Sequence, residues 1–525
     1  MNEYMKVISA AQMRDIDARM IREYGVSGEA LMERAGCSVA NCVRDLARSQ
    51  NIANPSVLFV AGKGNNGGDA FVAARILAGC GATVELWLAT EAAQVAGYAR
   101  TYMDQAVAAG IPVKEMPSEK DWDDAIDGCV RRDVIVDGLL GTGFKGPVHG
   151  VIRHAIMVIN YMSARSLVVA IDIPSGLDAD SGMPHDEAVV ADVTVTMGLP
   201  KHGLVSRSGV EYTGSLLVAE IGIPPSLIEE LPWEAELVEA SGVSALFMRR
   251  PRESHKGSYG HLLIAGGSAG YSGAVIMAAK GALRSGVGLV TAFVPHSISS
   301  VVAAGVQEAM VRGMAEGNAG VLSSGALLSV LENVEKFDAI LVGPGMGTDD
   351  QCRLLVLDLI RRCRTPLVID ADALNVQKVR EHILPAAACP VVITPHPGEL
   401  ARFLGSEVET IQADRLRIAR ETAETTNTTV LLKGAGSVIA EAGRIPAINM
   451  SGNPGMATGG TGDVLAGVVG GLLAQGLGPF DAACAAAYLH GRAGDRAAWR
   501  LSQAGMVAGD VIDGLPSAFR EVCGR

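Results

Sequence analysis

Short apolar runs alternate with helical segments along most of the chain, and this alternation restricts the fold more than any other feature. The first series of such runs, each five to seven residues long, lies at 56–62, 83–89, 133–138, 166–172 and 192–198. Runs of this length between amphipathic helices are typical of a mostly parallel sheet that is covered on both faces. We therefore predict an α/β fold.

A segment rich in proline and glutamate divides the chain into two such series. Residues 222–240 read GIPPSLIEELPWEAELVEA, with three prolines and five glutamates, and the alternation resumes beyond them. A chain of 525 residues is also too long for a single ordinary core. We predict an N-terminal Rossmann-like three-layer sandwich in residues 1–222, a linker in 223–240 and a second α/β domain in 241–525.

Charge and cysteine content exclude several classes of protein. The formal net charge is −13, which disfavours binding to nucleic acid or to an anionic membrane. Nine cysteines are scattered without a CxxC pair, as expected for free thiols in a reducing cytoplasm. We expect no signal peptide, and the longest apolar stretch, 464–474, is too short for a membrane span. The sequence therefore predicts a cytoplasmic protein with small-molecule ligands and with no nucleic-acid or membrane partner.

The glycine-rich turn after the first strand admits two interpretations. Gly62, Gly64 and Gly67 satisfy GxGxxG, the fingerprint of dinucleotide-binding dehydrogenases, and they follow a predicted strand. Residues 65–69, however, are Asn-Asn-Gly-Gly-Asp, which puts polar side chains where a pyrophosphate turn usually has small apolar ones. Glu85, the acid that would bind a ribose, lies inside the next strand and not at its end. A hydride-transfer dehydrogenase is therefore the less favoured interpretation.

Oxygen-bearing side chains follow several strands of the first series. Asn66, Asp137, Asp172 and Ser175 come near the carboxyl ends of predicted strands, where open α/β sheets bind their ligands. Hard oxygen donors gathered in this way suit a monovalent or divalent cation. The loop 141–147 offers backbone N–H groups and a lysine to a phosphate. Each of these residues taken singly could instead serve only as a turn residue or a helix cap.

Four segments within residues 8–222 together resemble the NAD(P)H-hydrate epimerase domain. They are AGKGNNGGDA, VDGLLGTGFKG, IDIPSGLDADSG and GLPKHG. The resemblance implies that the hydrated dinucleotide binds at Asn65, Asn66, Gly67, Gly68, Asp69, Gly141, Thr142, Gly143, Phe144, Lys145, Gly146, Pro147 and Asp172. It also implies potassium ligands at Asn66, Asp137 and Ser175. Asp172 would be catalytic, carrying the proton as the C6 hydroxyl leaves and returns on the other face of the ring.

The second series contains a glycine-rich helix start that could bind an anion. In GGTGD, residues 459–463, the glycines leave backbone N–H groups open, and the helix dipole attracts negative charge. Asp463 would then lie beside a bound phosphate and could take the proton of an attacking hydroxyl. This arrangement resembles the GxGD motif of the ribokinase superfamily. A closely packed helix start without a ligand is the alternative.

Six ordered segments within residues 240–520 resemble the ADP/ATP-dependent NAD(P)H-hydrate dehydratases, which have a ribokinase-like fold. They are GSAGYSGA, VGPGMG, IDADALN, TPHPGE, LKGAGS and NPGMATGGTGD. The resemblance implies that the hydrate contacts Ala274, Gly345, His396 and Asp463. It implies that the nucleotide contacts Lys433, Gly434, Ala435, Gly436, Ser437 and Gly462. Taken alone, His396 is usually the kind of residue that serves only as a loop histidine. Residues Lys433–Ser437 could bind an adenosine phosphate, although a lysine after a strand is often only a solvated strand end.

Together the two resemblances imply a bifunctional enzyme that repairs hydrated NADH and NADPH. The first domain would interconvert the R and S hydrates with the help of potassium. The second would phosphorylate the C6 hydroxyl of the S hydrate from ADP with Mg²⁺, and phosphate is a far better leaving group than hydroxide. The products would be NAD(P)H, AMP and phosphate, with Asp463 as the catalytic residue. Relatives of the second domain assemble, so we also expect a homo-oligomer.

Two further hypotheses differ in the class of function. A ribokinase-like small-molecule kinase would release a phosphorylated product, whereas repair releases orthophosphate. A non-catalytic N-terminal scaffold is known among relatives in mRNA-decapping factors. The presence of Asn66, Asp137 and Asp172 and the acidic net charge argue against the scaffold hypothesis.

Overall fold

The computed structural model describes residues 4–127, 131–317, 320–323, 325–326, 334–375 and 384–524, which form two compact units. The N-terminal unit is Lys6–Glu234, and the C-terminal unit contains residues 235–524 together with residues 4–5. The boundary between them falls inside the segment 223–240.

The N-terminal unit is built around a parallel sheet. Its helices are α1 (Ala10–Tyr24), α2 (Gly28–Ser49), α3 (Asn65–Gly79), α4 (Gly97–Ala108), α5 (Glu119–Asp127), α6 (Gly150–Met162), α7 (His202–Val205), α8 (Val210–Thr213) and α9 (Pro225–Glu230). The strand β1 (Met5–Val7) belongs to the sheet of the C-terminal unit. The strands of the N-terminal unit are β2 (Ser56–Ala61), β3 (Thr83–Leu88), β4 (Val113–Glu115), β5 (Val134–Gly138), β6 (Leu167–Ile171), β7 (Val193–Met197) and β8 (Ser215–Ala219). Among the described residues the sheet has seven strands, in the order β4-β3-β2-β5-β6-β7-β8, and all of its pairings are parallel.

Helices pack on this sheet as the apolar pattern predicts. Leu58 and Val60 of β2 are buried in one cluster with Ile156 and Ile159 of α6. Successive strand residues point to opposite faces, and α3 packs against β2, β3 and β5. The helix α1 begins with a capping box at Ser9, whose side chain accepts from the backbone N–H of Gln12.

The C-terminal unit has a larger, mixed sheet. Its helices are α10 (Ala240–Ala245), α11 (Ser272–Arg284), α12 (Ser299–Gly305), α13 (Asp350–Arg362), α14 (Pro397–Leu404), α15 (Val408–Ala413), α16 (Arg415–Thr426), α17 (Thr461–Ala474), α18 (Pro479–Leu501) and α19 (Ala508–Cys523). Its strands are β9 (Ala235–Leu237), β10 (His261–Ala265), β11 (Leu289–Pro295), β12 (Met310–Met314), β13 (Ala339–Val342), β14 (Leu367–Ile369), β15 (Val391–Ile393), β16 (Thr429–Leu432), β17 (Ser437–Ala440) and β18 (Ala447–Asn449). The strand order is β1-β9-β18-β17-β16-β15-β14-β13-β10-β11-β12.

The central strand β10 shows how this unit forms layers. Leu262 and Ile264 belong to a cluster that includes residues of α11 and α17. Leu263, next to both along the strand, belongs to a second cluster that includes residues of α13. Alternate residues of one strand therefore pack under helices on opposite faces, and the predicted α/β fold is confirmed.

Two details differ from the simple alternation of strands and helices. The segment TVLLKGAGSVIA forms the antiparallel pair β16–β17, because its glycine-rich centre turns the chain directly back. The segment 223–240 is also more than a linker: it contains α9 and β9, and β9 pairs in parallel with β18. In the described part of the chain, no helix combines the length and apolar character that crossing a bilayer requires.

Candidate functional site

The turn between β2 and α3 is closed by direct contact between backbones. A Cβ atom at Gly62 would lie 2.1 Å from the carbonyl oxygen of Leu139, and one at Gly67 would lie 2.0 Å from the carbonyl oxygen of Gly62. Larger residues at these positions would push the loops apart. The predicted residues Asn65–Asp69 accordingly form the first turn of α3 at the carboxyl end of β2, where no side chain caps the helix.

Three predicted cation ligands meet around one backbone group. Asn66 donates its Nδ2–H to the carbonyl oxygen of Leu140 at 2.8 Å. The N–H of Leu140 donates to Ser175 Oγ at 2.9 Å. Ser175 in turn donates its hydroxyl to Asp137 Oδ1 at 2.6 Å and its N–H to Asp137 Oδ2 at 2.8 Å. The structure therefore brings Asn66, Asp137 and Ser175 into one hydrogen-bond network.

Asp137 carries a buried acidic group at the centre of this network. Its relative exposure is 0%, and no ion pair involves it within the described ranges. Burial raises the pKa of Asp137 to about 6, against the opposing effect of hydrogen bonds from Ser175 and Leu139. A buried carboxylate without a cationic side chain is costly, and a bound cation would offset that cost.

Asp172 lies at the carboxyl end of β6 in an uncommon conformation. Its φ is +61°, a left-handed value that non-glycine residues seldom adopt and that is often found at functional sites. Its Oδ1 atom lies 2.6 Å from the ammonium nitrogen of Lys201. Asp69 and Asp17 lie close enough to be affected by its charge. Burial raises the pKa of Asp69 well above its ordinary value and that of Asp17 to about 6.

The loop 141–147 follows β5 and is held from two sides. The ring of Phe144 packs edge-on against His185, with 5.9 Å between ring centroids. Arg14 of α1 donates to the carbonyl oxygen of Thr142 at 3.1 Å. Lys145 is exposed, and Gly146 adopts a left-handed φ of +98°. The predicted loop thus lies at the same edge of the sheet as Asp137.

In the C-terminal unit, charged side chains meet at the carboxyl ends of three neighbouring strands. Asp370 follows β14 and is buried, and its Oδ1 accepts from Thr394, which follows β15, at 2.6 Å. Lys433, which follows β16, donates to the same oxygen at 3.0 Å and lies 3.6 Å from Glu399 Oε2. Burial lowers the pKa of Lys433, but the attraction of Asp370, Glu399 and Asp463 outweighs this effect and the pKa is raised. Lys433 therefore keeps its positive charge at neutral pH within this cluster.

Asp463 lies in the first turn of α17, next to this cluster. The helix begins after Gly460, whose φ is +92°, and no side chain caps it. A Cβ atom at Gly462 would lie 3.5 Å from Lys433 Nζ, which brings the predicted nucleotide residues Lys433 and Gly462 together. Burial raises the pKa of Asp463 to about 7, the negative charge of Asp370 adds to this, and Lys433 opposes it. A carboxyl group with a pKa near neutrality is well suited to accept and return a proton.

His396 precedes α14 and caps it. Its Nδ1 accepts the backbone N–H groups of Gly398 at 3.0 Å and Glu399 at 3.3 Å, and Glu399 Oε2 accepts the N–H of His396 at 2.8 Å. Burial lowers its pKa, which agrees with an imidazole that accepts at Nδ1 and keeps its proton on Nε2. The helix cap therefore fixes the orientation in which Nε2 can meet a ligand.

The two other predicted substrate contacts lie together beside the cluster. A Cβ atom at Gly345 would lie 3.0 Å from the Cβ of Ala274 in α11 and 2.8 Å from the carbonyl oxygen of Tyr271. Ser268 donates to the carbonyl oxygen of Gly345 at 2.8 Å. In the same loop, Gly343 has a φ of +126°, and a Cβ atom there would lie 1.8 Å from the carbonyl oxygen of Asp370. The loop therefore packs directly against the strand end that carries the acidic residue.

The turn Lys433–Ser437 is shaped by a buried arginine. Arg415 donates to the carbonyl oxygens of Leu432, Lys433 and Gly436 at 3.1 to 3.3 Å. Gly434 has a φ of +141°, and a Cβ atom there would lie 2.4 Å from an Arg415 nitrogen. Ser437 donates to the carbonyl oxygen of Gly434 at 2.8 Å. Ala435 lies within the same turn, at its tip.

Sequence reasoning missed several polar residues that the fold brings to these sites. In the N-terminal unit they are Asp17 and Lys201, and in the C-terminal unit they are Asp370, Asp372 and Glu399. Four of the five stand in recognised segments, namely GLPKHG, IDADALN and TPHPGE, so their signal was present but was not assigned. Asp17 lies on α1, and no local motif points to it.

Two family models match the chain, one in each unit. Residues 28–203 match the model described as YjeF-related protein N-terminus. Residues 262–517 match the model described as NAD(P)H-hydrate dehydratase.

Similar proteins cover the whole chain. It is 41% identical over 518 residues to the bifunctional NAD(P)H-hydrate repair enzyme Nnr of Moorella thermoacetica, covering 99% of this chain and 97% of that protein. It is 38% identical over 518 residues to the protein of the same name from Thermofilum pendens, covering 98% and 96%. Among solved structures, the ADP/ATP-dependent NAD(P)H-hydrate dehydratase from Bacillus subtilis is 29% identical, covering 55% of this chain and 98% of that one with a TM-score of 0.48.

Proposed function

The chain belongs to the family of bifunctional NAD(P)H-hydrate repair enzymes, and on this premise we propose how its two units divide the work. The N-terminal domain, residues 1–222, epimerises R- and S-NAD(P)HX. The C-terminal domain, residues 241–525, dehydrates the S hydrate to NAD(P)H with a nucleotide as phosphoryl donor. The observation that supports this division best is that each unit has its own site, in which a carboxylate at the end of a strand pairs with a lysine: Asp172 with the buried Lys201, and Asp370 with the half-buried Lys433.

Epimerisation requires the hydroxyl at C6 to leave one face of the ring and to return on the other. We propose that Asp172 gives a proton to the departing oxygen, so that the C6–O bond breaks and water forms. It takes a proton back when water adds to the opposite face, so no net proton is consumed. The N–H groups of residues 65–69 and the loop 141–147 would bind the dinucleotide phosphates.

We propose that K⁺ binds beside Asn66, Asp137 and Ser175. These residues offer amide, hydroxyl and carboxylate oxygens, which suit K⁺. The carboxylate of Asp137 is buried and forms no ion pair within the described residues, so a cation beside it would be stabilising. When bound, the ion would neutralise this charge and fix the loop that starts at Leu140. In the described part of the chain, no group of three histidine, cysteine, aspartate or glutamate side chains is placed to hold a metal ion. The proposed K⁺ site does not require such a group, because it uses amide and hydroxyl oxygens together with one carboxylate.

Dehydration requires the C6 hydroxyl to become a better leaving group. We propose that Asp463 accepts the hydroxyl proton while the oxygen takes the terminal phosphoryl group of ADP, so that AMP is released. The C6–O bond then breaks with loss of phosphate, a proton leaves C5 to the solvent, and the double bond between C5 and C6 of the ring is restored. Lys433–Ser437 and Gly462 would hold the nucleotide, and Ala274, Gly345, His396 and Asp463 the hydrate. Mg²⁺, held mainly through the phosphates, would offset their charge near Asp370 and Asp372.

Two properties of the whole protein remain proposals as well. We propose that the enzyme acts in the cytoplasm, where the reduced dinucleotides and ADP are present. We also propose that it forms a homo-oligomer, which sedimentation of the full chain would test.

One assay tests the proposed function. The full chain is mixed with an R,S mixture of NADHX, Mg²⁺, K⁺ and either ADP or ATP, and the absorption band of reduced nicotinamide is followed together with released orthophosphate. Recovery of both epimers at enzymatic speed, with one phosphate released per NADH formed, is the expected result. Recovery of the S epimer alone would remove the epimerase activity. A stable phosphorylated product without NADH would favour the alternative, a small-molecule kinase.

A further inference from the structure

The segment GLPKHG places a lysine inside the N-terminal unit. Lys201 lies between β7 and α7, and its relative exposure is 0%. An ammonium group taken out of water is very costly unless it is paired and hydrogen-bonded. The contacts of Lys201 therefore show what stabilises its buried ammonium group.

All three N–H bonds of the Lys201 ammonium are used within the protein. They point to Asp172 Oδ1 at 2.6 Å, Thr196 Oγ1 at 2.9 Å and the carbonyl oxygen of Met197 at 2.9 Å. An ammonium group has three donors and no acceptor. Lys201 therefore has no donor left for a substrate, and it acts through Asp172.

Within the described residues, the hydrogen bonds to the Asp172 side chain converge on one of its two oxygens. Oδ1 accepts from Lys201, from the N–H of Met197 at 3.1 Å and from the hydroxyl of Thr196 at 3.3 Å. The Asp172 side chain is 16% exposed. Oδ1 is thus held by the protein, and Oδ2 is the oxygen left to exchange a proton with a ligand.

Other carboxyl groups face Asp172 from neighbouring helices. They are Asp17 on α1 and Asp69 on α3, and burial favours the neutral form of both, raising the pKa of Asp17 to about 6 and that of Asp69 well above its ordinary value. Of the three carboxyl groups, Asp172 is in direct contact with the Lys201 ammonium, at 2.6 Å. Lys201 therefore forms its ion pair with one of the three neighbouring carboxyl groups, that of Asp172.

We propose that Lys201 is a positioning residue of the epimerase site, which holds Asp172 by Oδ1 and directs Oδ2 to the C6 oxygen. This inference rests on the proposed epimerase function. It predicts that epimerisation depends on a residue that never touches the substrate.

The test uses the full chain with substitutions in the N-terminal unit. Epimerisation is followed without nucleotide by separating R- and S-NADHX, and the spontaneous rate is subtracted. Lys201→Met removes the charge and keeps the length of the side chain. Lys6→Met is the matched control, because Lys6 is also a buried lysine but its ammonium bonds to the carbonyl oxygens of Ile228, Glu229 and Leu231.

For Lys201→Met we expect kcat to fall by on the order of 100-fold, the size of effect that a misplaced catalytic group produces. The KM for the hydrate should stay close to the wild-type value, because all three donors of Lys201 are used within the protein and none binds the substrate. Partial unfolding would instead reduce the fraction of protein molecules that bind the hydrate, which an equilibrium titration of each variant measures. Lys6→Met should keep the wild-type kcat and KM, and dehydration of the S epimer should be unchanged in both variants.

A second variant covers the case in which Lys201→Met does not fold. Thr196→Val removes one partner of the ammonium and of Oδ1 while keeping the shape of the side chain, and we expect a fall in kcat of about tenfold. A folded Lys201→Met with the wild-type kcat would overturn the inference, as would a folded Thr196→Val with the wild-type kcat if Lys201→Met is insoluble. A wild-type protein without epimerase activity would instead contradict the proposed function.

Discussion

Replacing Asp463 by asparagine should stabilise the C-terminal unit while it stops dehydration. Burial and the charge of Asp370 raise the pKa of Asp463 from 3.8 to about 7, so the folded protein holds a proton that the unfolded chain has lost. The free energy of unfolding therefore falls as the pH rises from about 4 to about 7, and it levels off above that. With 1.36 kcal/mol for each pH unit, the cost to the wild type reaches about 4 kcal/mol at the plateau.

Asparagine has no proton to lose, so the variant avoids this cost. We expect Asp463→Asn and the wild type to unfold at similar temperatures near about pH 4. At about pH 8, the transition of the C-terminal unit should be about 8 °C higher in the variant. Scanning calorimetry measures both, and the relevant transition is the one that moves on adding ADP and Mg²⁺ to the wild type. Dehydration should be lost and epimerisation kept.

An exposed aspartate of the same unit provides the control. Asp513 lies on α19 and is exposed, so Asp513→Asn should change the free energy of unfolding by less than about 0.5 kcal/mol at either pH. The reasoning is wrong if Asp463→Asn has the same effect at both pH values, or if the variant is less stable at the higher one. Persistent dehydration by the variant would exclude Asp463 as the catalytic residue.

Three further predictions concern other parts of the two sites. Gly343→Ala should lower the free energy of unfolding by about 3 kcal/mol or more, because its Cβ would meet the carbonyl oxygen of Asp370. Gly509 has open space around it, so Gly509→Ala should not lower the free energy of unfolding in the same urea titration. Lys433→Met leaves Asp370 buried without its cation, so calorimetry should show a loss of about 3–5 kcal/mol, and dehydration should stop while epimerisation continues. Asp137→Asn should make epimerisation insensitive to K⁺ exchanged for choline at constant ionic strength; a variant that keeps the wild-type response would exclude Asp137 as a ligand.

Local patterns in the sequence predict much of the fold. The apolar runs of the first series correspond to the buried parallel strands β2, β3, β5, β6 and β7. What the pattern could not predict depends on pairing across long distances in the chain. The strand β9 lies in a proline-rich segment and is recognisable only through its partner β18, some two hundred residues away.

The sites were predictable to the extent that their residues stand in motifs. The apolar pattern predicts the strands that Asn66, Asp137 and Ser175 follow, and in the structure these three residues belong to one hydrogen-bond network. Asp17 gives no such signal, because a charged residue on an amphipathic helix is usually solvated and only the packing of α1 brings it near Asp172. The buried position of Lys201 is likewise set by tertiary structure, since a lysine between proline and histidine is ordinarily expected at the surface.

We propose that two independent sites, one around Asp172 and one around Asp463, act in turn on the same damaged cofactor. The most direct measurement mixes two full-length variants, Asp172→Asn and Asp463→Asn, with R,S-NADHX, ADP, Mg²⁺ and K⁺. Asp172→Asn alone should rapidly convert only the S epimer, and Asp463→Asn alone should form no NADH. Together they should restore NADH from both epimers at enzymatic speed, and a mixture that converts no more than Asp172→Asn alone would contradict the account.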